Sequence, residues 1–499
     1  MTTGPRWKRS ARAGRGSARP DDGPDRVVDR VVDRVVDRVV DRVVDRVVGR
    51  VRSPSRGGAE GRVFCRRDGG HDIHDHLGGP VAITAAHPRL TRPPRITELD
   101  ALRGVALLGI LLVNAMMMAG PYGLGTVADP DASVFDRTVE GLVHTFVAGK
   151  FYLLFSFLFG YSFTLQLESA ERDGARAVPR HLRRTLGLFA LGALHAVLLY
   201  VGDILMTYAL LGLILMAART CSPRAARRAA LIVHGCAGAL LLLLGALFLL
   251  MPDAAAAELD AELTADFPAL VAAYQGDALS VVRANLNELP DALFSTLLMG
   301  GFVLAAFLIG VDCGKRRLLT AAGTGTGTED PGARVHSVRR LRRGCLLGAV
   351  VGLPGGVFMA LTAVGLPGPR WAVFGQAVGT VTAPALTAAY VCGTLLFLRG
   401  ARGGRASALL APAGRMALTN YLGQSLVMAL VFTGYGLALY DRLGPAVVVL
   451  GVFVLYAAQL ALSAWLMARY RYGPVEWLLR TVTLARLPHA RPRPDAEAR

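Results

Sequence analysis

The stretch Ala446–Ala468 reads AVVVLGVFVLYAAQLALSAWLMA and contains no charged residue. A second stretch of the same kind, AALIVHGCAGALLLLLGALFLLM, runs from Ala229 to Met251. A helix rises 1.5 Å per residue, so about 20 consecutive apolar residues cross the roughly 30 Å hydrocarbon core of a bilayer. Both stretches are therefore predicted to be membrane-spanning helices.

The composition of the whole chain supports the same conclusion. Hydrophobic residues make up 53% of the 499 residues, charged residues make up 18%, and the mean hydropathy is +0.42. A soluble chain carries roughly 25% charged residues, so this chain lacks the side chains needed to cover a surface exposed to water. The predicted fold class is all-α, a polytopic transmembrane helical bundle in contact with the lipid bilayer. A soluble globular enzyme is excluded.

Apolar runs predict about ten spans, of which the second is long and is expected to be a short helix followed by a full span. The spans are roughly 100–120, 139–167, 184–200, 203–218, 229–251, 291–311, 344–365, 372–398, 416–436 and 446–468. In alternating order, 28 Lys and Arg residues fall on one set of connections and 4 on the other. Because cytoplasmic loops are enriched in Lys and Arg, both termini are predicted to be cytoplasmic.

The formal net charge of +18 is therefore explained by orientation in the membrane, and nucleic acid is not an expected partner. The bias towards Arg over Lys, together with many Ala and Gly residues, is typical of a GC-rich bacterial genome. The predicted location is the bacterial cytoplasmic membrane. The longest connection on the predicted outer side of the membrane includes Asp253–Gly276, which is predicted to form an amphipathic helix on the outer surface.

Five segments are predicted along the chain. They are a disordered Arg-rich extension at 1–94, an N-terminal membrane half at 95–311, a basic cytoplasmic loop at 312–343, a C-terminal membrane half at 344–486 and a disordered tail at 487–499. The extension holds six copies of Asp-Arg-Val-Val at Asp25–Val48. Its His and Asp run at 71–76 has a composition that resembles a metal site, but it lacks a second fixed set of ligands. We expect no specific metal site there.

Polar residues inside the membrane are the leading functional candidates, because ionisable groups are costly in a bilayer. Asn114, Lys150, His195 and Asp203 are all predicted to lie in its outer half. An Asp that orients a His beside a Lys is an arrangement suited to general-base catalysis. The alternative is a structural polar network that joins helices.

Other polar pairs lie closer to the helix ends. Asp100 and Arg103, at the predicted cytoplasmic mouth of the first span, are three residues apart and share one helix face. They are predicted either to bind substrate or to form a helix-entry ion pair. Asn420 and Gln424 are four apart and also share a face, from which they can bond to a ligand or to a neighbouring helix.

Four motifs occur in order between residues 95 and 486. The first is Leu99-Asp100-Ala101-Leu102-Arg103-Gly104, leading on to Asn114, and the second is Gly149-Lys150-Phe151 with Leu154-Phe155-Ser156 and Leu158-Phe159-Gly160. The third runs from Leu194-His195 to Gly202-Asp203-Ile204-Leu205 and Tyr208. The fourth comprises Gly414-Arg415-Met416, Leu418-Thr419-Asn420-Tyr421 and Gln424-Ser425, followed by Gly473-Pro474, Glu476-Trp477 and Arg480. In these motifs the chain resembles the YeiB-like bacterial membrane proteins, domain-of-unknown-function family 418. That family is similar at a distance to transmembrane acyltransferases, which share the Asp-x-x-Arg-Gly opening.

The resemblance implies an acyl donor, acetyl-CoA or another acyl-CoA, on the cytoplasmic side and a small-molecule acceptor on the outer side. The donor phosphates are expected on Arg103, Arg183, Arg184 and Arg415. In the O-acyltransferases a His stands 14 residues after the motif's Asp, where this chain has Asn114, and an amide does not titrate. His195 is therefore the expected base, with Asp203 orienting it and Lys150 or Asn114 stabilising the oxyanion.

Two further interpretations of the function stay open at this point. Ten helices with polar residues at two depths and intramembrane Pro354 and Pro384 also fit a transporter for a small solute or lipid. A non-catalytic membrane scaffold is the third interpretation, for which the sequence offers no positive sign.

Overall fold

The computed structural model of the protein describes residues 96–174, 176–319 and 331–488, with side chains from residue 337 onward in the last range. Every regular element in these ranges is an α-helix, and no strand occurs in them. The prediction of an all-α helical membrane protein is thereby confirmed. The Arg-rich extension, its Asp-Arg-Val-Val repeats and its His and Asp run lie outside the described residues, as does the end of the tail.

The part of the described chain before residue 320 forms nine helices. They are α1 (Thr97–Ala119), α2 (Val134–Phe146), α3 (Phe151–Arg172), α4 (Ala177–Leu198), α5 (Leu205–Ala217), α6 (Pro223–Leu249), α7 (Asp253–Thr264), α8 (Phe267–Gln275) and α9 (Ala278–Lys315). The part from residue 331 to residue 488 forms six more. They are α10 (Pro331–Ala363), α11 (Trp371–Leu398), α12 (Gly403–Arg415), α13 (Ala417–Phe432), α14 (Pro445–Arg469) and α15 (Pro474–Leu484).

Seven helical segments within the described ranges are long and apolar enough to span a bilayer. They comprise α1, the pair α2 and α3, α6, α9, α10 from residue 337 onward, α11 and α14. Helices α5 and α13 are apolar but shorter. Helix α4 has the length of a span, but its first half carries several arginines. Each of the ten predicted spans thus corresponds to a helix or a helix pair. The number of helices that cross the membrane and the cytoplasmic location of both termini stay predictions.

Several boundaries differ from those expected from the sequence. The predicted loop at 312–343 is helical up to Lys315 and again from Pro331. The connection 399–415 contains α12, which is packed against α1 instead of lying in solvent. The predicted single helix at Asp253–Gly276 is divided into α7 and α8. The second span does divide into a short helix and a full one, as expected, through a turn at residues 147–150.

Helix α1 lies at the centre of the bundle and contacts α3, α11, α12, α13 and α14. Its side chains Leu102, Leu107 and Leu111 are at most 1% exposed. A Cβ atom at Gly414 on α12 would overlap the carbonyl oxygen of Asp100, and a Cβ at Gly104 on α1 would overlap the carbonyl of Leu410. Two glycines therefore allow the backbones of α1 and α12 to touch.

The outer faces of the peripheral helices are apolar. Leu231 and Leu243 on α6, Leu346 on α10, and Leu450 and Val454 on α14 are each more than half exposed. Large apolar side chains are stable in such positions when lipid covers them. This surface is that of a membrane-embedded protein.

Candidate functional site

Two cavities of about 470 Å³ each lie towards opposite ends of α1. The first, which we call the basic cavity, contains Arg103 from the start of α1 and Glu476 from α15. Its other Lys, Arg, His, Asp or Glu lining residues within the described ranges are Arg180, His181, Arg184, Arg415 and Arg480. Among these residues five arginines face one carboxylate, so this lining is strongly positive.

The second cavity, which we call the acidic cavity, lies at the end of α1 near Gly120. Its charged lining residues among those the structure describes are Asp203 and Glu288, and no Lys, Arg or His lines it there. The rest of its polar lining is made of amides and hydroxyls, contributed by Asn114, Asn285, Thr207, Ser295, Thr296, Thr433, Tyr152, Tyr200, Tyr274, Tyr421 and Tyr440. The two cavities therefore have opposite electrostatic character.

Ile110, Ile204 and Tyr421 line both cavities. These three residues therefore lie between the two cavities, and we call them the dividing wall. The wall is built from α1, from the turn before α5 and from α13.

His195 and Asp203 form a close pair beside this wall. His195 lies near the end of α4, and the short connection at residues 199–204 returns Asp203 to it. Nδ1 of His195 lies 2.9 Å from Oδ1 of Asp203, within ion-pair distance although the angles are not those of a hydrogen bond. The other carboxylate oxygen of Asp203 accepts a 2.8 Å hydrogen bond from the backbone NH of Met206. The carboxylate is therefore held by the first turn of α5 and in turn orients the imidazole.

The Nε2 atom of His195 is buried and has no hydrogen-bond partner within the described chain. The imidazole is 5.0 Å from the ring of Tyr421, measured between ring centroids. The hydroxyl of Tyr421 lies beside the backbone of Ile204 and the carboxylate of Asp203. His195 itself is not among the lining residues of either cavity, but it contacts Asp203, which lines the acidic cavity, and Tyr421, which lines both.

Of the other two predicted residues of this group, Asn114 reaches the same cavity as Asp203, whereas Lys150 does not line it. Asn114 lines the acidic cavity, and its side-chain amide makes no hydrogen bond to the described residues. Lys150 is fully buried, and its Nζ donates a 2.6 Å hydrogen bond to the carbonyl of His144. Lys150 does not line the acidic cavity, although its neighbours Gly149 and Phe151 do.

Asp100 and Arg103 meet as the sequence indicates. Nη1 of Arg103 lies 2.7 Å from Oδ1 of Asp100, and Nη2 donates to the hydroxyl of Ser162. The guanidinium group lines the basic cavity, whereas Asp100 is only 3% exposed. The pair holds the Arg103 guanidinium at one position in the cavity wall.

Two of the three other predicted arginines face the basic cavity. Arg184 and Arg415 line it, and Arg415 also donates to the carbonyl of Arg471. Arg183 is exposed and is not one of the lining residues. Adjacent residues on a helix point about 100° apart, so only one of Arg183 and Arg184 reaches the cavity.

Asn420 and Gln424 bond to the neighbouring helix α14. Nδ2 of Asn420 donates to Ser463 at 3.0 Å, and Nε2 of Gln424 donates to Gln459 at 2.8 Å. Gln459 donates back to the carbonyl of Asn420 at 3.2 Å. These bonds are the helix-joining alternative raised for this pair, and neither residue lines a cavity.

Glu476 connects the basic cavity to the start of α13. Its carboxylate accepts hydrogen bonds from the backbone NH groups of Leu418 at 2.7 Å and of Thr419 at 3.1 Å, and from the Thr419 hydroxyl. These NH groups belong to the first turn of α13, where backbone donors lack helical partners and the helix dipole favours a negative charge. Glu476 therefore fixes the N-terminus of the helix that carries Tyr421.

Replacing Glu476 with alanine is expected to lower the free energy of unfolding by about 2 kcal/mol, because buried helix-start donors lose a charged acceptor. Glu476→Gln keeps one acceptor oxygen and is expected to lose about half as much. Thermal unfolding of the purified protein in detergent measures both. Equal stability of the alanine variant and the parent would contradict this capping role.

Several site residues were missed by the sequence analysis. Arg480, Tyr421 and Glu476 stood in the quoted motifs but received no role there. Arg180, four residues before Arg184, had the spacing that places two side chains on one helix face. Glu288 lies on α9 and Tyr440 lies in the connection between α13 and α14, and no sequence signal predicted that either would approach the cavity.

No group of three or more His, Cys, Asp or Glu side chains in the described ranges is arranged to hold a metal ion. The basic cavity instead offers guanidinium groups, which bind phosphate or carboxylate.

Comparisons with known proteins agree with the resemblance found in the motifs. The profile of the family described as "Protein of unknown function (DUF418)" matches residues 333–486. YxaH of Bacillus subtilis is 28% identical over 412 residues, which cover 80% of this chain and 97% of that protein. YeiB of Escherichia coli is 31% identical over 415 residues, covering 78% of this chain and 96% of YeiB. Both relatives are described as uncharacterised proteins.

Proposed function

Because this chain belongs to the DUF418 family of proteins of unknown function, we propose its activity from the geometry of its own cavities. The protein transfers an acyl group from a thioester donor in the basic cavity to an acceptor in the acidic cavity. The observation that carries this proposal is the dividing wall of Ile110, Ile204 and Tyr421, with the His195–Asp203 pair beside it.

The basic cavity supports a phosphate-bearing donor such as acetyl-CoA. Arg184 lies in the field of Arg103 and Arg480, so like charges crowd the cavity. The carboxylate that the described residues contribute to its lining, Glu476, is already bonded to the start of α13. An anionic ligand adds negative charge to this basic surface, and guanidinium groups bind phosphate oxygens in a bidentate manner.

The wall supports the transfer step. The acceptor hydroxyl or amine attacks the thioester carbonyl, its O–C or N–C bond forms, and its proton passes to Nε2 of His195. The C–S bond then breaks, and the leaving thiolate takes that proton. Asp203 holds the imidazole in the tautomer with a free Nε2. The Tyr421 ring moves aside for the acceptor to reach that nitrogen.

Stabilisation of the oxyanion is assigned to Asn114 and not to Lys150. The amide of Asn114 faces the acidic cavity and is not engaged by the described residues, so it is available to a developing negative charge. The ammonium of Lys150 is engaged with the His144 carbonyl away from the cavity.

Binding of the donor is the first test. Acetyl-CoA is expected to raise the melting temperature of the purified protein in detergent, because a ligand that binds only the folded state stabilises it. Arg184→Gln is expected to weaken donor binding about tenfold through loss of a charged hydrogen bond. Its matched control is Arg183→Gln, which removes the adjacent exposed arginine. Similar weakening by both variants would mean that general charge, not the basic cavity, attracts the donor.

Transport of a small solute is the second candidate function. Two cavities that lie towards opposite ends of a central helix and are divided by Ile110, Ile204 and Tyr421 also fit alternating access. Sealed vesicles containing the protein separate the two functions. Acyl transfer is expected to release free thiol from acetyl-CoA when an acceptor is supplied, whereas uptake of a labelled solute without thiol release would favour transport.

A further inference from the structure

Glu288 is an uncompensated carboxylate in the acidic cavity. It is half-buried on α9, and the charged residues that act on it, Asp291 and Asp266, are both acidic. No basic side chain lines the cavity among the residues described. Removing a carboxylate from water is unfavourable unless a positive charge or hydrogen-bond donors replace the lost hydration. A cation bound in the cavity therefore compensates the negative charge of Glu288.

Aromatic rings lie beside this carboxylate. The centroids of the Tyr274 and Tyr440 rings are 4.8 Å apart, and the Glu288 carboxylate interacts electrostatically with both hydroxyls. Tyr200 interacts with both tyrosines and also lines the cavity. The faces of aromatic rings attract organic cations, and an ammonium group gains most where water is excluded.

Tyr440 is buried yet has an unused polar group directed at the cavity. It is 5% exposed and lines the cavity, and its hydroxyl makes no hydrogen bond to any residue in the described ranges. The hydroxyl oxygen is not one of the fully buried polar atoms of the described residues, so it is open to the cavity and available to a ligand that enters it.

The rings are held in place before any ligand arrives. Nε2 of Gln275 donates to the carbonyl of Tyr440 at 2.7 Å, and the backbone NH of Gly434 donates to the carbonyl of Tyr274 at 2.8 Å. The Tyr274 hydroxyl donates to Asn285 at 3.0 Å. A preformed site binds more tightly because less freedom is lost on binding.

We propose that the acidic cavity binds an organic cation, with its ammonium group between the Glu288 carboxylate and the rings of Tyr274 and Tyr440. A bare metal ion is not the expected ligand, because no group of three or more His, Cys, Asp or Glu side chains in the described ranges is arranged to hold one. A neutral solute leaves the charge of Glu288 uncompensated. The cation site does not depend on acyl transfer; if transfer occurs, the bound cation is the acceptor.

Choline and its uncharged isostere 3,3-dimethylbutan-1-ol form the test pair. Calorimetric titration of the purified protein in detergent is expected to show that choline binds at least tenfold more tightly than the isostere does. Glu288→Gln is expected to weaken choline binding about tenfold and to leave the isostere unchanged. Equal affinity for the two ligands, or no choline binding, would overturn the proposal.

Matched variants separate this site from general surface charge. Asp291→Asn removes a carboxylate three residues along α9 that does not line the cavity, and it is expected to change choline affinity less than threefold. Tyr440→Phe keeps the ring and is expected to retain more affinity than Tyr440→Leu. If Asp291→Asn weakens binding as much as Glu288→Gln, the acidic surface alone attracts the cation. Because binding is measured without acetyl-CoA, it can fail or succeed separately from acyl transfer.

Discussion

Replacing His195 with alanine is expected to lower the rate of acyl transfer by a factor of about 10²–10⁴, the usual contribution of a positioned general base. The reason is that Asp203 holds the His195 imidazole beside the dividing wall, with its Nε2 without a partner among the described residues. Release of free thiol from acetyl-CoA by the purified protein, with a supplied acceptor, measures the rate. Donor binding is expected to remain, because His195 lines neither cavity.

The matched control for this variant is His144→Ala. His144 is also a fully buried histidine, but it lies on α2 and does not line either cavity. Its loss creates a similar internal void without removing the proposed base. A parental rate in His195→Ala would exclude His195 as the base. An equal loss in both variants would show that the effect comes from packing.

Replacing Gly414 with valine is expected to lower the free energy of unfolding by about 3 kcal/mol and to abolish donor binding. The added side chain overlaps the backbone of α1 at Asp100, so α12 must move away. Arg103 and Arg415 lie on the two helices that this contact joins, and both line the basic cavity. Thermal unfolding and the acetyl-CoA stabilisation assay measure the two effects.

Gly404→Val on the same helix is the control for this substitution. No other atom lies within 4 Å of a Cβ placed at Gly404, so the valine there meets only open space. The helix-propensity change is the same in both variants, since both replace a helical glycine. If the two variants unfold alike, close packing at Gly414 contributes nothing to the contact between α1 and α12.

Long apolar runs were sufficient to predict the apolar helices of this fold, because length and hydropathy alone decide whether a segment suits the bilayer. Helix α12 was missed for a corresponding reason. At 13 residues with two arginines and a proline it is too short and too polar for a span, and the sequence does not show that two glycines bring it against α1. Contacts made by backbone atoms leave little trace in a hydropathy pattern.

The approach of Asp203 to His195 was predictable because only a short turn separates their helices, so the partners are close in any packing. The grouping of Lys150 with them was not supported by local geometry, since its position depends on how α2 and α3 join. Arg183 and Arg184 could not be separated from sequence alone. Which of two adjacent side chains faces inward depends on the rotation of α4 about its own axis.

The opposite charges of the two cavities also bear on insulation of the membrane. A protein that encloses deep cavities towards both ends of one helix risks leaking ions wherever the wall of Ile110, Ile204 and Tyr421 opens. A cation drawn into the acidic cavity then meets five arginines beyond the wall, and an anion held by those arginines meets Asp203 and Glu288. A cation and an anion therefore each meet an unfavourable electrostatic potential on crossing the wall. The bundle therefore resists conduction of either sign even while its dividing side chains move.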